Sequence, residues 1–420
     1  MNHFVFKEKE LYCEDVPLRT IAEAVGTPCY IYSAATLLRH FKAFDGAFSG
    51  IRHLTCFSMK SNSNLAVIRL FASEGGGVDI VSGGELYRAL KAGVCPDKIV
   101  YSGVGKTADD LASALEAGIL MFNLESYQEM STLNEAALRK GRKAPVAFRV
   151  NPDVDPKTHP YISTGLKKNK FGIGITEAVS YYKAASELRG LHIAGVSCHI
   201  GSQLTMVSPF VDALKKVKDL LGALEAEGIK IQILDIGGGL GITYNLEEPP
   251  HPGEYADAVK RELSSMNLTL VLEPGRVLVG NAGVLVTKVL YTKKTASKDF
   301  FIVDAAMNDL VRPSLYDSYH AIVPLRDPGR DKIKADIVGP ICESGDFFAR
   351  DREIENMRPG EYAAIMSAGA YGFSMSSNYN SRPRPAEVLV KGNEYHVIRA
   401  RETFEDLVRG ETIPRFLLER

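Results

Sequence analysis

Residues 56–64 read C-F-S-M-K-S-N-S-N, so a short apolar run from Ile51 to Phe57 is followed closely by Lys60 and then by small polar residues, before an amphipathic stretch opens at Leu65. A lysine at the end of this strand would face a pocket. Where apolar walls shield it, the amine loses proton affinity and becomes a nucleophile able to condense with aldehydes. A solvated loop lysine is the alternative for this position taken alone. Three later stretches carry further chemistry. Residues 235–241, D-I-G-G-G-L-G, place Gly237, Gly238 and Gly239 in succession. Successive glycines let the backbone approach a phosphate and aim several N–H groups at it, although a tight structural turn would use the same residues. Glu273-Pro274-Gly275-Arg276 offers a carboxylate and a guanidinium, which could equally form a surface ion pair. His199 and Ser202, in H-I-G-S-Q, supply an imidazole and a hydroxyl.

The elements that must position these groups alternate regularly. Strand-like runs at about 54–58, 78–81, 98–101, 119–122, 145–150, 192–198, 231–236 and 269–272 are separated by amphipathic helical stretches. The helix after the second run opens Ser82-Gly-Gly-Glu85, the pattern of a capping box. Eight units of this kind predict an α/β fold with a (β/α)8 barrel over residues 35–276. An open doubly wound sheet would carry its glycine fingerprint after the first strand, and here that strand ends in lysine. Beyond Gly275 the runs Gly283 to Tyr291, Asp299 to Val303, Ile333 to Val338, Glu361 to Met366 and Ala386 to Val390 read as strands with little helix between them. They predict a β-rich domain over 277–420. Residues 1–34, with a helix-like stretch at Leu18 to Val25 and an apolar run at Pro28 to Tyr32, are too few to fold alone and are assigned to that same domain.

In a barrel, the loops that follow the strands build the functional face, and phosphate commonly binds after strands seven and eight. The glycine turn follows the seventh run and Glu273 the eighth. Lys60 for an aldehyde, the glycines for a phosphate and Glu273 for a basic ring nitrogen together match the requirements of pyridoxal 5′-phosphate, an electron sink for a carbanion beside an amino group. His199 would pack on the ring, with Ser202 near the phosphate.

The segments F-S-M-K-S-N-S-N, V-D-I-V-S-G-G-E, H-I-G-S-Q, D-I-G-G-G-L-G and E-P-G-R, in that order, resemble the barrel-fold pyridoxal-phosphate decarboxylases, the group that includes the ornithine, arginine and diaminopimelate enzymes. R-P-S-L-Y at 312–316, C-E-S-G-D at 342–346 and G-A-Y-G at 369–372 are similar to the diaminopimelate branch. Phe57 stands where the family often has tyrosine. The resemblance implies decarboxylation of meso-2,6-diaminopimelate to L-lysine, with Cys342 as the acid that reprotonates the α-carbon and Tyr371 touching cofactor and substrate. It further implies that Arg276, Arg312 and Tyr316 hold the far carboxylate and Glu343 the far ammonium, in a homodimer whose active sites are shared between subunits. A substrate with an amino-acid group at each end needs a bidentate cation for one charge and an anion for the other.

Composition limits the rivals. With 45% hydrophobic and 24% charged residues the chain is an ordinary globular one, and a net charge of −1 with scattered lysines and arginines gives no footprint for nucleic acid or an anionic membrane. The first ten residues lack the apolar core of a signal peptide and no run nears a membrane span, so a cytoplasmic location is expected, with small molecules as partners; the resemblance implies an amino-acid substrate. The six cysteines show no C-x-x-C pair, and neither disulfides nor a metal site are expected; all but Cys342 read as packing residues. A decarboxylase of ornithine, arginine or carboxynorspermidine would leave the arginines without an anion to meet. A non-catalytic cofactor-binding barrel would leave the C-terminal domain unexplained, and a racemase should carry a different lysine context.

Overall fold

The computed structural model describes residues 2–155, 170–264, 266–327 and 329–418. Two compact units are present, residues 36–281 and residues 1–35 joined with 282–420.

The first unit is a closed parallel barrel. Its strands are His53–Ser58, Gly77–Ile80, Ile99–Tyr101, Met121–Leu124, Ala144–Asn151, Leu191–Cys198, Ile233–Asp235 and Thr269–Leu272. Each pairs in parallel with the next, and the eighth returns to the first with Leu270 opposite His53. A two-residue strand absent from the sequence reading, Ile173–Gly174, adds to the fifth. Strands buried on both faces read as near-continuous apolar runs. The exceptions cluster toward the C-terminal ends: Asp79, Asn123, Ser197 and Asp235 are all buried there. Cys56, Val100, Met121, Ala147, Ala194 and Val271 form an apolar cluster of the same unit.

Helix starts follow a repeated local rule with one difference from expectation. Ser82 Oγ accepts from the Glu85 N–H at 3.2 Å, but the Glu85 carboxylate accepts from the N–H of Val81 at 2.7 Å, one residue earlier than a capping box requires. Ser126 and Glu129 repeat this arrangement, with Glu129 reaching the N–H of Glu125. Thr107 and Asp110 form the complete box. Carboxylates at helix N-termini also meet the positive end of the helix dipole.

In the second unit the strand Cys29–Ser33 lies between Gly283–Lys294, to which it is antiparallel, and Ala386–Lys391, to which it is parallel. An N-terminal segment thus supplies an interior strand of a sheet otherwise built from the C-terminal third of the chain. Its core joins Leu11, Leu18, Ile21, Cys29 and Ile31 to Val284, Val286, Ala364, Val388 and Val390. Strands Phe347–Glu355 and Glu394–Arg399, missing from the sequence reading, carry charged residues on their exposed faces and so lack an apolar signature. Four cysteines are buried thiols. Cys95 is exposed, a correction to its reading as a packing residue.

Candidate active site

Lys60 sits in a single helical turn, Met59–Ser61, immediately after the first barrel strand. The turn is fixed on both sides: Ser61 Oγ donates to the Ser58 carbonyl at 2.7 Å, and the Ser58 N–H donates to the Pro274 carbonyl at 3.0 Å, tying it to the segment after the eighth strand. Lys60 Nζ lies 3.0 Å from Asp79 Oδ2, which also accepts from Ser58 Oγ at 2.8 Å. The apolar walls expected around the lysine are present only in part, as Val81 and Phe171, and the amine itself meets a buried carboxylate.

Lys60, Val81, Ser102, Arg149, Phe171, Ser197, His199 and Glu273 line one cavity of about 250 Å³. Behind it runs a buried polar network. Ser102 Oγ donates to Glu273 Oε1 at 3.3 Å, and Asn123 Nδ2 donates to both Ser102 Oγ at 3.0 Å and Asp235 Oδ2 at 2.7 Å. Ser197 Oγ donates to the same Asp235 oxygen at 3.1 Å, and the Gly237 N–H donates to Asp235 Oδ1 at 2.9 Å. Burial, and then the charges of Asp235 and Asp79, push the Glu273 carboxyl well above its ordinary range, with Lys60 opposing them. Asp235 is raised by burial but keeps hydrogen bonds that favour its ionised form, from Gly237, Glu273 and Asn123. Burial thus raises both carboxyls, and the bonds that Asp235 accepts oppose that rise at Asp235.

His199 follows the sixth strand. Its Nδ1 accepts from the Gly238 N–H at 3.3 Å, so the neutral ring carries its hydrogen on Nε2. Burial first, and then the positive charges of Arg149 and Lys60, hold it well below the usual histidine range. The glycine turn has a packing reason of its own. A Cβ on Gly238 would stand 2.0 Å from the Glu273 carbonyl oxygen, and Gly239, at φ 119°, would bring one 2.4 Å from the Gly201 carbonyl oxygen. Only glycine lets these three loops touch. Gly237, Gly238 and Gly239 thus join the segments carrying His199 and Glu273.

Arg276, buried at the start of a short helix after Gly275, donates to the Tyr244 hydroxyl at 2.6 Å and to Ser202 Oγ at 3.2 Å. The barrel unit therefore brings together Lys60, His199, the glycines and Glu273, and separately Arg276 with Ser202.

The other predicted residues belong to the second unit. Arg312 is buried, with Nη1 3.2 Å from His320 Nε2 and Nη2 donating to Ser318 Oγ at 3.3 Å. Tyr316 is half-buried on the same short helix, Arg312–Tyr316. Cys342 and Glu343 are exposed on a loop anchored by Asp346, whose carboxylate accepts from the N–H groups of Ile341 and Met307, both at 2.7 Å. Glu343 accepts from the Tyr379 hydroxyl at 2.8 Å, and the Cys342 N–H donates to Asn380 Oδ1 at 3.3 Å. Tyr371 is half-buried at φ 55°.

Sequence reasoning did not single out Asp79, Ser102, Asn123, Arg149, Asp235, Tyr244, His320 or Tyr379. A usable signal existed for four of them. Asp79 in V-D-I, Asn123 in F-N-L, Arg149 in F-R-V and Asp235 in L-D-I interrupt apolar strands, where a polar residue is tolerated only with partners.

A family profile described as pyridoxal-dependent decarboxylase, pyridoxal binding domain, matches residues 34–280. The chain is 52% identical over 413 residues to a diaminopimelate decarboxylase of Pseudomonas aeruginosa, covering 98% of this chain and 99% of the relative. Identity to the diaminopimelate decarboxylase of Aquifex aeolicus is also 52%, with 96% of each chain covered. A crystal structure of the Helicobacter pylori diaminopimelate decarboxylase complexed with L-lysine superimposes with a TM-score of 0.91 at 43% identity, covering 93% of this chain and 98% of that one. The M. jannaschii diaminopimelate decarboxylase gives 0.94 at 40% identity, covering 99% of both. On this profile match, identity and coverage, the chain belongs to the barrel-fold pyridoxal-dependent decarboxylases, in the diaminopimelate decarboxylase branch.

Proposed function

We propose that the barrel cavity is where this enzyme removes one carboxylate of meso-2,6-diaminopimelate, giving L-lysine and carbon dioxide in the last step of lysine biosynthesis. The observation that carries this assignment is that Lys60 and Glu273, which follow strands paired with each other, line the same cavity. The residues fit pyridoxal 5′-phosphate by their chemistry: an amine for its aldehyde, a buried carboxyl for its ring nitrogen, and a glycine turn for its phosphate.

Bound there, the cofactor supplies a protonated ring that takes up the electrons left when carbon dioxide departs. The chain's residues set up that event. Lys60 Nζ is the attachment amine, and Asp79 holds it in place. Glu273 would face the ring nitrogen and, as its counter-charge, keep it protonated. His199 would pack on the ring. Ser202, Gly237, Gly238, Gly239, Gly275 and Arg276 would hold the phosphate end, and Arg276 would also contribute to the substrate's carboxylate. In the second unit Arg312 and Tyr316 bind the distal carboxylate, Glu343 binds the distal ammonium, and Tyr371 touches both cofactor and substrate. Cys342 donates its thiol proton to the α-carbon.

The exposure of Cys342 and Glu343 supports a homodimer in which this loop completes the site of a neighbouring copy. The functional division then runs between a cofactor-binding barrel, 35–276, and a β-rich domain of 1–34 with 277–420. Among the described residues no helix is long and apolar enough to cross a membrane, and the six cysteines are free thiols, which supports placing the enzyme in the reducing cytoplasm.

The test combines activity with chemistry at one atom. Purified protein given meso-diaminopimelate should release carbon dioxide and lysine, with ornithine and arginine poor by comparison. Borohydride reduction followed by peptide mapping should find the cofactor attached to Lys60. Label on any other lysine would refute the site.

A further inference from the structure

Residues 312–320 read R-P-S-L-Y-D-S-Y-H. The short helix Arg312–Tyr316 stops at Asp317, which adopts φ 49°, and the chain turns so that Ser318 and His320 come back to the Arg312 guanidinium. His320 is fully buried. Its Nδ1 lies 2.8 Å from the Met366 carbonyl oxygen and its Nε2 lies 3.2 Å from Arg312 Nη1. A carbonyl oxygen only accepts, so Nδ1 carries the hydrogen. A guanidinium only donates, so Nε2 presents its lone pair. Both contacts select the same tautomer of a neutral ring, and each reinforces the other. The backbone is held as well, since the His320 carbonyl accepts from Arg352 Nη1 at 2.9 Å and the Arg352 guanidinium stacks 3.9 Å from the Tyr319 ring centre.

His320 and Ser318 are uncharged acceptors. They fix the plane of the guanidinium through its Nη1 and Nη2. That arrangement suits an arginine that must offer a preset fork to an incoming anion.

We propose that His320 is a positioning residue for substrate recognition, acting through Arg312 to set the direction in which the guanidinium meets the distal carboxylate of diaminopimelate. This inference rests on the reading of Arg312 as a substrate ligand. A merely structural ring would matter through its bond to Met366, and two conservative variants separate the roles. In His320→Gln the longer amide reaches the Nε2 position and can present its oxygen to Arg312. In His320→Asn the shorter amide reaches the Nδ1 position and keeps only the bond to Met366.

Steady-state kinetics of both cofactor-loaded variants, together with Arg312→Lys, provide the test. Positioning predicts that KM for diaminopimelate rises about ten-fold in His320→Asn, with kcat within about two-fold, and that His320→Gln stays within about three-fold of wild type. The cofactor's absorbance should be unchanged in both. A reversed order, equal damage in both variants, or wild-type kinetics in both would overturn the proposal. Arg312→Lys separates the two layers. If it leaves KM unchanged, the reading of Arg312 fails and the inference falls with it. If it raises KM while His320→Asn does not, Arg312 keeps its role and the inference alone falls.

Discussion

In the barrel, Asp79, Asn123, Asp235 and Glu273 are each no more than 6% exposed, and hydrogen bonds tie each to Lys60, Ser58, Ser102, Ser197 or Gly237. In the second unit, Cys342 and Glu343 stand on an exposed loop whose anchor, Asp346, is buried and whose tip is met by Tyr379 and Asn380. The contrast follows from the tasks assigned to the two regions. A cofactor's electronics depend on fixed charges in a water-poor setting, so those groups are built into strand ends and locked before anything binds. The roles proposed for Cys342 and Glu343, proton donor and substrate ligand, require small molecules to enter and leave, which suits their exposed positions.

The largest effect should come from the locked region. Glu273→Gln removes the charge proposed to keep the ring nitrogen protonated while keeping the shape of the side chain. Turnover should fall by about two to three orders of magnitude with cofactor still bound, as for loss of one preorganised electrostatic group. Turnover near wild type, measured together with cofactor absorbance, would remove Glu273 from the mechanism.

A smaller effect tests whether the barrel's carboxyls are truly withdrawn from water. Burial raises Glu85 to about 7 from an ordinary 4.5, with the neighbouring Asp79 charge adding to it and the Val81 N–H and Lys60 opposing. The folded protein therefore holds this proton to higher pH than the unfolded chain does. Stability from this group is lost as pH rises from about 4.5 to about 7 and is level above that. Relative to wild type, cofactor-free Glu85→Gln should gain stability across that window, by at most about 3 kcal/mol, in denaturant unfolding at successive pH values. A difference that does not change with pH would mean that Glu85 is solvated.

Legibility in the sequence divides along the same line. All eight barrel strands are readable, because a strand buried on both faces is apolar over most of its length and its neighbours are helices of different period. Lys60, the glycine turn and Glu273 were readable because each directly follows such a run. The network behind them was not. Asp79, Asn123 and Asp235 are single polar letters inside strands, and only closing the barrel shows that they meet one another. His320 was hidden for the same reason, since its partner Met366 is 46 residues away. The capping pattern at Ser82 was recognised, but the actual target of Glu85, the N–H of Val81, depends on backbone geometry that the letters do not carry.

In the proposed homodimer the loop carrying Cys342 in one copy completes the active site of the other. Mixing Lys60→Ala with Cys342→Ala protein tests it directly. Each variant alone should be nearly inactive. If sites are shared, each hybrid dimer holds one site with both residues and one with neither. Random exchange makes about half the dimers hybrid, so activity should recover to about one quarter of wild type per subunit. Confirmed subunit exchange with activity still at the level of the parent variants would contradict the account.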